Sequence, residues 1–168
     1  VNKSAQGYRN LVLGENGVID KWSKLGVKGW RLDVVDELPI DFTYDLCSRI
    51  KDEDKDMLIV GEVWEDASTK IAYSEWRPYF MGKQLDSVMN YPFKEAILAY
   101  TLDGDKDAFI SRVGDILEHY PKQSLDCLMN LIDSHDTARA ITTLSGVKPP
   151  YSKKDRADFA LSCEQYDL

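Results

Sequence analysis

Three short apolar runs in this chain each end in an acidic residue: Gly29-Trp-Arg-Leu-Asp33, Met57 to Glu62, and Cys127 through Ile132 into Ser134-His135-Asp136. Helical patterns separate them. Pro39 opens one, with Phe42, Leu46, Cys47 and Ile50 at three- and four-residue spacing. Asp105 caps another, with Phe109, Ile110, Val113, Ile116 and Leu117 on one face. Alternation of strand and helix predicts an α/β protein with a parallel sheet. In such sheets the loops that do chemistry gather at the C-terminal ends of the strands, so the three carboxylates can converge there.

Further elements complete the pattern. Gly17 to Leu25 reads as an amphipathic helix through Val18, Ile19, Trp22 and Leu25, closed by Gly26. Strands are expected over Val27 to Val34, Met57 to Val63, Leu85 to Met89 and Cys127 to Ile132. Helices are expected from Pro92 to about Tyr100, Lys106 to Tyr120 and near Ala138 to Leu144. The stretch from Glu65 to Gln84, rich in aromatics, is too long to be a simple connection and reads as functional. A helix after Pro149-Pro150 is a weaker expectation. All 168 residues form a single domain.

With 43% hydrophobic and 11% aromatic residues the chain is a folded globular protein. A net charge of −8 opposes a nucleic acid or anionic membrane partner and suits a neutral one. Cys47, Cys127 and Cys163, odd in number and widely spaced, read as buried free thiols with no metal motif. Asp103-Gly-Asp105 lacks the Gly and Glu that a calcium loop needs, so neither metal nor cofactor is expected.

Arg31 and Asp33 share one strand face, so the guanidinium can hold Asp33 ionised and fixed, as a glycosidase nucleophile needs. Read alone, the pair is better read as an ordinary ion pair. Glu62 follows an apolar strand, where burial and nearby carboxylates would favour the protonated form that a general acid uses. Read alone, a Glu at a strand end is more often a salt-bridge partner than a catalyst. Asp136 with His135 could hold sugar hydroxyls and stabilise positive charge, or Ser134 to Thr137 could simply cap a helix. Trp64, two residues beyond Glu62, is the aromatic expected to stack on a sugar.

Together, Gly29-Trp-Arg-Leu-Asp-Val, Gly61-Glu-Val-Trp, Leu85-Asp-Ser-Val-Met-Asn-Tyr-Pro-Phe93 and Ser134-His-Asp-Thr resemble the α-amylase family of glycoside hydrolases, nearest to its neopullulanase and cyclomaltodextrinase group. The resemblance implies a (β/α)8 TIM barrel and a retaining mechanism on α-1,4 and possibly α-1,6 bonds of maltooligosaccharides, cyclomaltodextrins or pullulan. It implies Asp33 as nucleophile, Glu62 as acid/base and Asp136 as transition-state stabiliser, with Arg31 and His135 as binding residues. Asp36-Glu37 replaces the Lys-His of many α-amylases and makes Glu37 a candidate substrate contact.

The family's segment at its third barrel strand is missing. The expectation is therefore an internal piece holding barrel strands four to seven with flanking helices, exposing edges through which it forms a homo-oligomer. A cytoplasmic location is expected from the habits of the group. The rival reading is an inactive barrel relative that serves as a carbohydrate-binding or interaction module.

Overall fold

The computed structural model describes residues 2–146. Its centre is a three-stranded parallel sheet of β1 (Gly29–Leu32), β2 (Leu58–Gly61) and β5 (Ser87–Val88), with β2 in the middle. Leu32 registers with Gly61, and Gly61 with Val88. Continuing that register sets Asp33 beside Glu62, and Glu62 beside Met89. A fourth segment touches the sheet only through the parallel bridge of Met89 with Met129.

Alternation along the strands feeds two apolar clusters, one per face. Leu32, Ile59 and Val88 join the larger core with Phe42, Leu46, Cys47 and Ile50 of α3 (Ile40–Glu53) and Ile116 of α5 (Lys106–His119). Val60 and Met89 join the smaller one with Tyr91, which opens α4 (Tyr91–Asp103). Helices α4 and α5 meet through aromatic rings, with Phe109 5.1 Å from Tyr100 and 6.5 Å from Phe93. The expected cap holds, with Asp105 accepting from the Ala108 amide at 3.0 Å, and a second cap that was not expected has Asn90 accepting from the Phe93 amide at 3.3 Å.

Other expectations need correcting. A helix α1 (Gln6–Leu13) precedes α2 (Val18–Lys24). The face α2 buries is Ile19 with Asp20, while Trp22 and Leu25 stay exposed. Lys24 and Arg49 pair with Asp20, and the Asn16 amide donates to it, so a carboxylate is tolerated inside. Gly26, at φ +96°, ends the helix as expected. On α5 only Ile116 is buried; Ile110 and Leu117 face outward.

The expected strand Cys127 to Ile132 is reduced to that single bridge: α6 (Lys122–Asp126) extends to its doorstep, and among the described residues just one side has a strand to pair with. Cys127 is exposed, contrary to the buried-thiol reading, which holds for Cys47. Burial pushes the Cys47 thiol up to about 12. Helix α7 (Ala140–Ser145) ends the described chain. Cys163 and the expected helix after Pro149-Pro150 lie outside the described residues.

The segment between Glu65 and Gln84 folds a small antiparallel hairpin, β3 (Ile71–Ala72) with β4 (Glu75–Trp76). Its two-residue loop has Tyr73 and Ser74 at φ 55° and 64°. Paired left-handed residues give the primed turn that matches strand twist.

Candidate active site

Asp33 and Glu62 each lie one residue past the end of a strand, β1 and β2. Arg31 joins them. One of its terminal nitrogens bonds Asp33 Oδ1, and the other lies 3.1 Å from Glu62 Oε1. Its Nε is 3.4 Å from the Met89 sulfur. A planar guanidinium with three partners has little freedom, so the two carboxylates are fixed relative to one another on sister nitrogens.

Their environments differ sharply. The Glu62 side chain is 2% exposed and that of Asp33 is 74% exposed. Glu62 Oε1 also accepts from the Trp64 indole at 3.2 Å, and Oε2 accepts from the Val34 amide at 2.8 Å. Val34 adopts φ 43°, ψ 54°, a left-handed conformation that a β-branched residue resists. Aiming its N–H at a buried carboxylate offsets that strain. Glu62 is buried as expected, and Asp33 lies at the neighbouring strand end, but the groups that bond Glu62 are all donors.

Trp64 stacks on Tyr91 with ring centroids 4.7 Å apart and planes 10° apart. The Tyr91 hydroxyl lies 3.2 Å from Ser134 Oγ, and Asn90 donates to Asn130 at 2.9 Å. These contacts tie the loop carrying Asp136 to the Glu62 side. His135 Nε2 and Asp136 Oδ2 lie 3.0 Å apart, and the Asp136 amide donates to Ser134 Oγ at 3.2 Å. Neither His135 nor Asp136 bonds Asp33, Glu62 or Arg31 directly. The structure therefore brings Arg31, Asp33, Glu62 and Trp64 into one bonded group, with His135 and Asp136 a separate pair linked through Tyr91 and Ser134.

Glu37 sits outside that group. It ends a single 3-10 turn, Val35–Glu37, and its carboxylate accepts from the Tyr73 hydroxyl. That bond holds the phenol of Tyr73 above its usual value. Asp36 accepts from Tyr79 at 2.5 Å and pairs with Lys70 at 3.1 Å. Burial, then the bond to Asp36, push the Tyr79 phenol up.

Sequence reasoning missed Val34, whose identity gives no hint of a left-handed donor. It also missed the Asp36 and Glu37 links to the hairpin, which depend on how the Glu65–Gln84 connection folds. Two cavities of about 480 Å³ lie elsewhere, one beside Cys47 and Lys51 of α3, the other between α4 and α5. The bonded carboxylates, rather than cavity size, mark the site. No group of His, Cys, Asp and Glu among the described residues is placed to hold a metal ion.

A family model described as "Alpha amylase, catalytic domain" matches residues 9–164. Neopullulanase 2 of Thermoactinomyces vulgaris is 39% identical over 127 residues, covering 74% of this chain and 20% of its own length. A cyclomaltodextrinase of Bacillus sp is 38% identical over 125 residues, covering 73% of this chain and 21% of its own. The chain thus spans about a fifth of the length of these curated relatives. Among solved structures, the ligand-free cyclic α-maltosyl-(1→6)-maltose hydrolase of Arthrobacter globiformis superimposes with a TM-score of 0.74 at 28% identity, covering 86% of this chain and 31% of that one.

Proposed function

The chain belongs to the α-amylase catalytic-domain family, and from that premise we propose that it carries the catalytic carboxylates of a retaining α-glucan hydrolase. The observation that bears most weight is the single guanidinium of Arg31 bonded to both Asp33 and Glu62. A retaining glycosidase needs two carboxyls about 5 to 5.5 Å apart, and sister nitrogens of one side chain are a means of holding them close.

In the proposed cycle Asp33, exposed and bonded to Arg31, attacks the anomeric carbon. The bond to the leaving oxygen breaks, and its electron pair takes a proton from Glu62. Water then gives a proton to Glu62 and attacks the same carbon, and the ester to Asp33 breaks with configuration retained. Oε2 is the oxygen suited to carry that proton, because it accepts from the Val34 amide alone while Arg31 and Trp64 both occupy Oε1. Substrate must reach a side chain that is 2% exposed, so displacement of the half-exposed Trp64 indole is part of the proposal.

Asp136 is assigned to stabilise the oxocarbenium-like charge, and His135 to bind hydroxyls. β1, β2, β5 and the segment at Met129 are assigned to barrel strands four to seven. Substrates are maltooligosaccharides, cyclomaltodextrins or pullulan, through α-1,4 and possibly α-1,6 bonds, and the site of action is the cytoplasm. No helix among the described residues is long and apolar enough to cross a membrane.

A second reading, a carbohydrate-binding module without turnover, is favoured by one observation: Glu62 is enclosed by three donors. Nitrophenol release from a nitrophenyl α-maltooligosaccharide separates them. Release that is lost in both Asp33→Asn and Glu62→Gln supports hydrolysis. Saturable maltoheptaose binding with no release supports the module, and release unchanged in either variant overturns the assignment.

A further inference from the structure

The β3–β4 hairpin exposes an unusual amount of apolar surface for six residues. Ile71 is 68% exposed, Tyr73 67% and Trp76 52%. Ile71 and Trp76 are register partners and share one face. Trp64 spends a face on Tyr91, whereas Trp76 has no ring partner among the described residues. Side chains this large, grouped and left in water mark a contact surface.

The hairpin is also held firmly, and four of its anchors lead to the segment just after Asp33, Asp36 to Leu38. Lys70 pairs with Asp36 at 3.1 Å, Tyr79 donates to Asp36 at 2.5 Å, and Tyr73 donates to Glu37. The buried Arg77 donates to the Leu38 carbonyl at 2.8 Å and reaches the Ala72 carbonyl at 3.4 Å. Tyr73 and Ser74 accept a left-handed turn that neither favours. Such preorganisation lowers the entropy lost on binding.

Resting on the function proposed above, we propose that this hairpin is a carbohydrate-stacking wall, with Trp76 and Tyr73 receiving glucose rings of an α-glucan chain that runs past the Asp36–Glu37 turn. The mixture of groups selects the ligand. Aromatic faces suit the C–H faces of pyranose rings, and the Glu37 carboxylate beside Tyr73 can accept sugar hydroxyls. An anionic partner is disfavoured by Asp36, Glu37, Glu65 and Glu75 around the hairpin, where Lys70 is already paired with Asp36 and Glu65. Trp76 thereby determines preference for longer chains and performs no bond-making step.

The test uses the chain labelled with 15N at its tryptophan indoles, titrated with maltoheptaose. Trp64 reports the central site and Trp76 the hairpin. The expected result is a saturable shift of the Trp76 indole. Trp76→Ala should weaken maltoheptaose binding about tenfold, the loss typical of one aromatic anchor, and Trp76→Phe should restore it. A Trp64 shift without a Trp76 shift overturns the hairpin proposal and leaves the central site standing. A Trp76 shift with Trp64 silent supports the hairpin and counts against the central site. Silence at both overturns both. A Trp76 shift that follows protein dilution and ignores sugar overturns the proposal in favour of contact with a second copy.

Discussion

Arg31 Nη2 lies 3.1 Å from Glu62 Oε1, a contact between a half-buried cation and a carboxylate with 2% exposure. The same guanidinium bonds Asp33, so its planar fork sets the geometry of both groups. Lysine offers one point charge and cannot serve two carboxylates in fixed directions. Arg31→Lys should therefore lower glycoside hydrolysis by about 10²-fold, the cost of small misplacements of reacting groups. Stability should fall by only about 1–2 kcal/mol, because Glu62 keeps the Val34 and Trp64 donors. Urea unfolding beside nitrophenol release checks both, and equal activity in the variant would contradict the positioning role.

Gly61 places Glu62 by having no side chain. A Cβ there would meet Leu85 Cδ1 at 2.4 Å and Val35 Cγ1 at 3.1 Å, both belonging to buried residues. Gly61→Ala should cost about 1–3 kcal/mol as an overpacked core, seen as a lower urea midpoint at unchanged slope. Combined with Leu85→Ala it should cost less than the sum of the two single losses, because the two residues share the clash. Full additivity of the two would show that the clash is relieved elsewhere.

The loop after Glu62 is latched to the end of α5. His119 Nδ1 lies 2.5 Å from Asp66 Oδ2, and the Ala67 amide donates to the Tyr120 hydroxyl at 3.1 Å. The bond to Asp66 holds His119 above its ordinary value, with Asp115 and Glu118 adding to it. Burial opposes ionisation of Asp66, yet the Ser68 hydroxyl and amide together with His119 hold its carboxyl below the ordinary range. The His119 contribution is complete below its unfolded value of 6.5 and is lost as pH rises through the elevated folded value. The Asp66 contribution is present above its unfolded value of 3.8 and is lost as pH falls through the depressed one. Melting curves should therefore show His119→Ala destabilised at mildly acidic pH and converging with the parent at alkaline pH. A gap that stays constant with pH would show that the imidazole is not charged in the latch.

Strand ends were legible because sequence states the strand period and its last acidic residue directly. Asp33 and Glu62 lie where that pattern puts them, and Arg31 reaches both because parallel register aligns adjacent strand ends. Turn geometry was not legible. Val34 and Tyr73 are residues that local preference assigns to extended backbone, and their left-handed conformations follow from contacts made elsewhere in the fold. The Cys127–Ile132 run misled for a related reason: apolar composition reports burial potential, while strand formation needs a partner on hand. Trp22, Leu25, Ile110 and Leu117 show the same limit in helices, since a periodic apolar face is buried only where something covers it.

β1 raises the remaining question of assembly. It pairs with β2 on one side, and among the described residues its other edge has no strand. The carbonyls of Lys28 and Leu32 accept from the Leu58 and Glu62 amides. Alternation then turns the N–H and C=O of Gly29 and Arg31 to the open side. Unpaired edges recruit other strands, so the chain should self-associate, with a light-scattering mass rising above 19.2 kDa as concentration increases. Hydrogen exchange locates the contact: the Gly29 and Arg31 amides should gain protection with concentration, while those of Leu58 and Glu62, already bonded to the Lys28 and Leu32 carbonyls, should not change. A clean monomer at high concentration refutes the prediction, and association with fast exchange at Gly29 and Arg31 moves the interface away from β1.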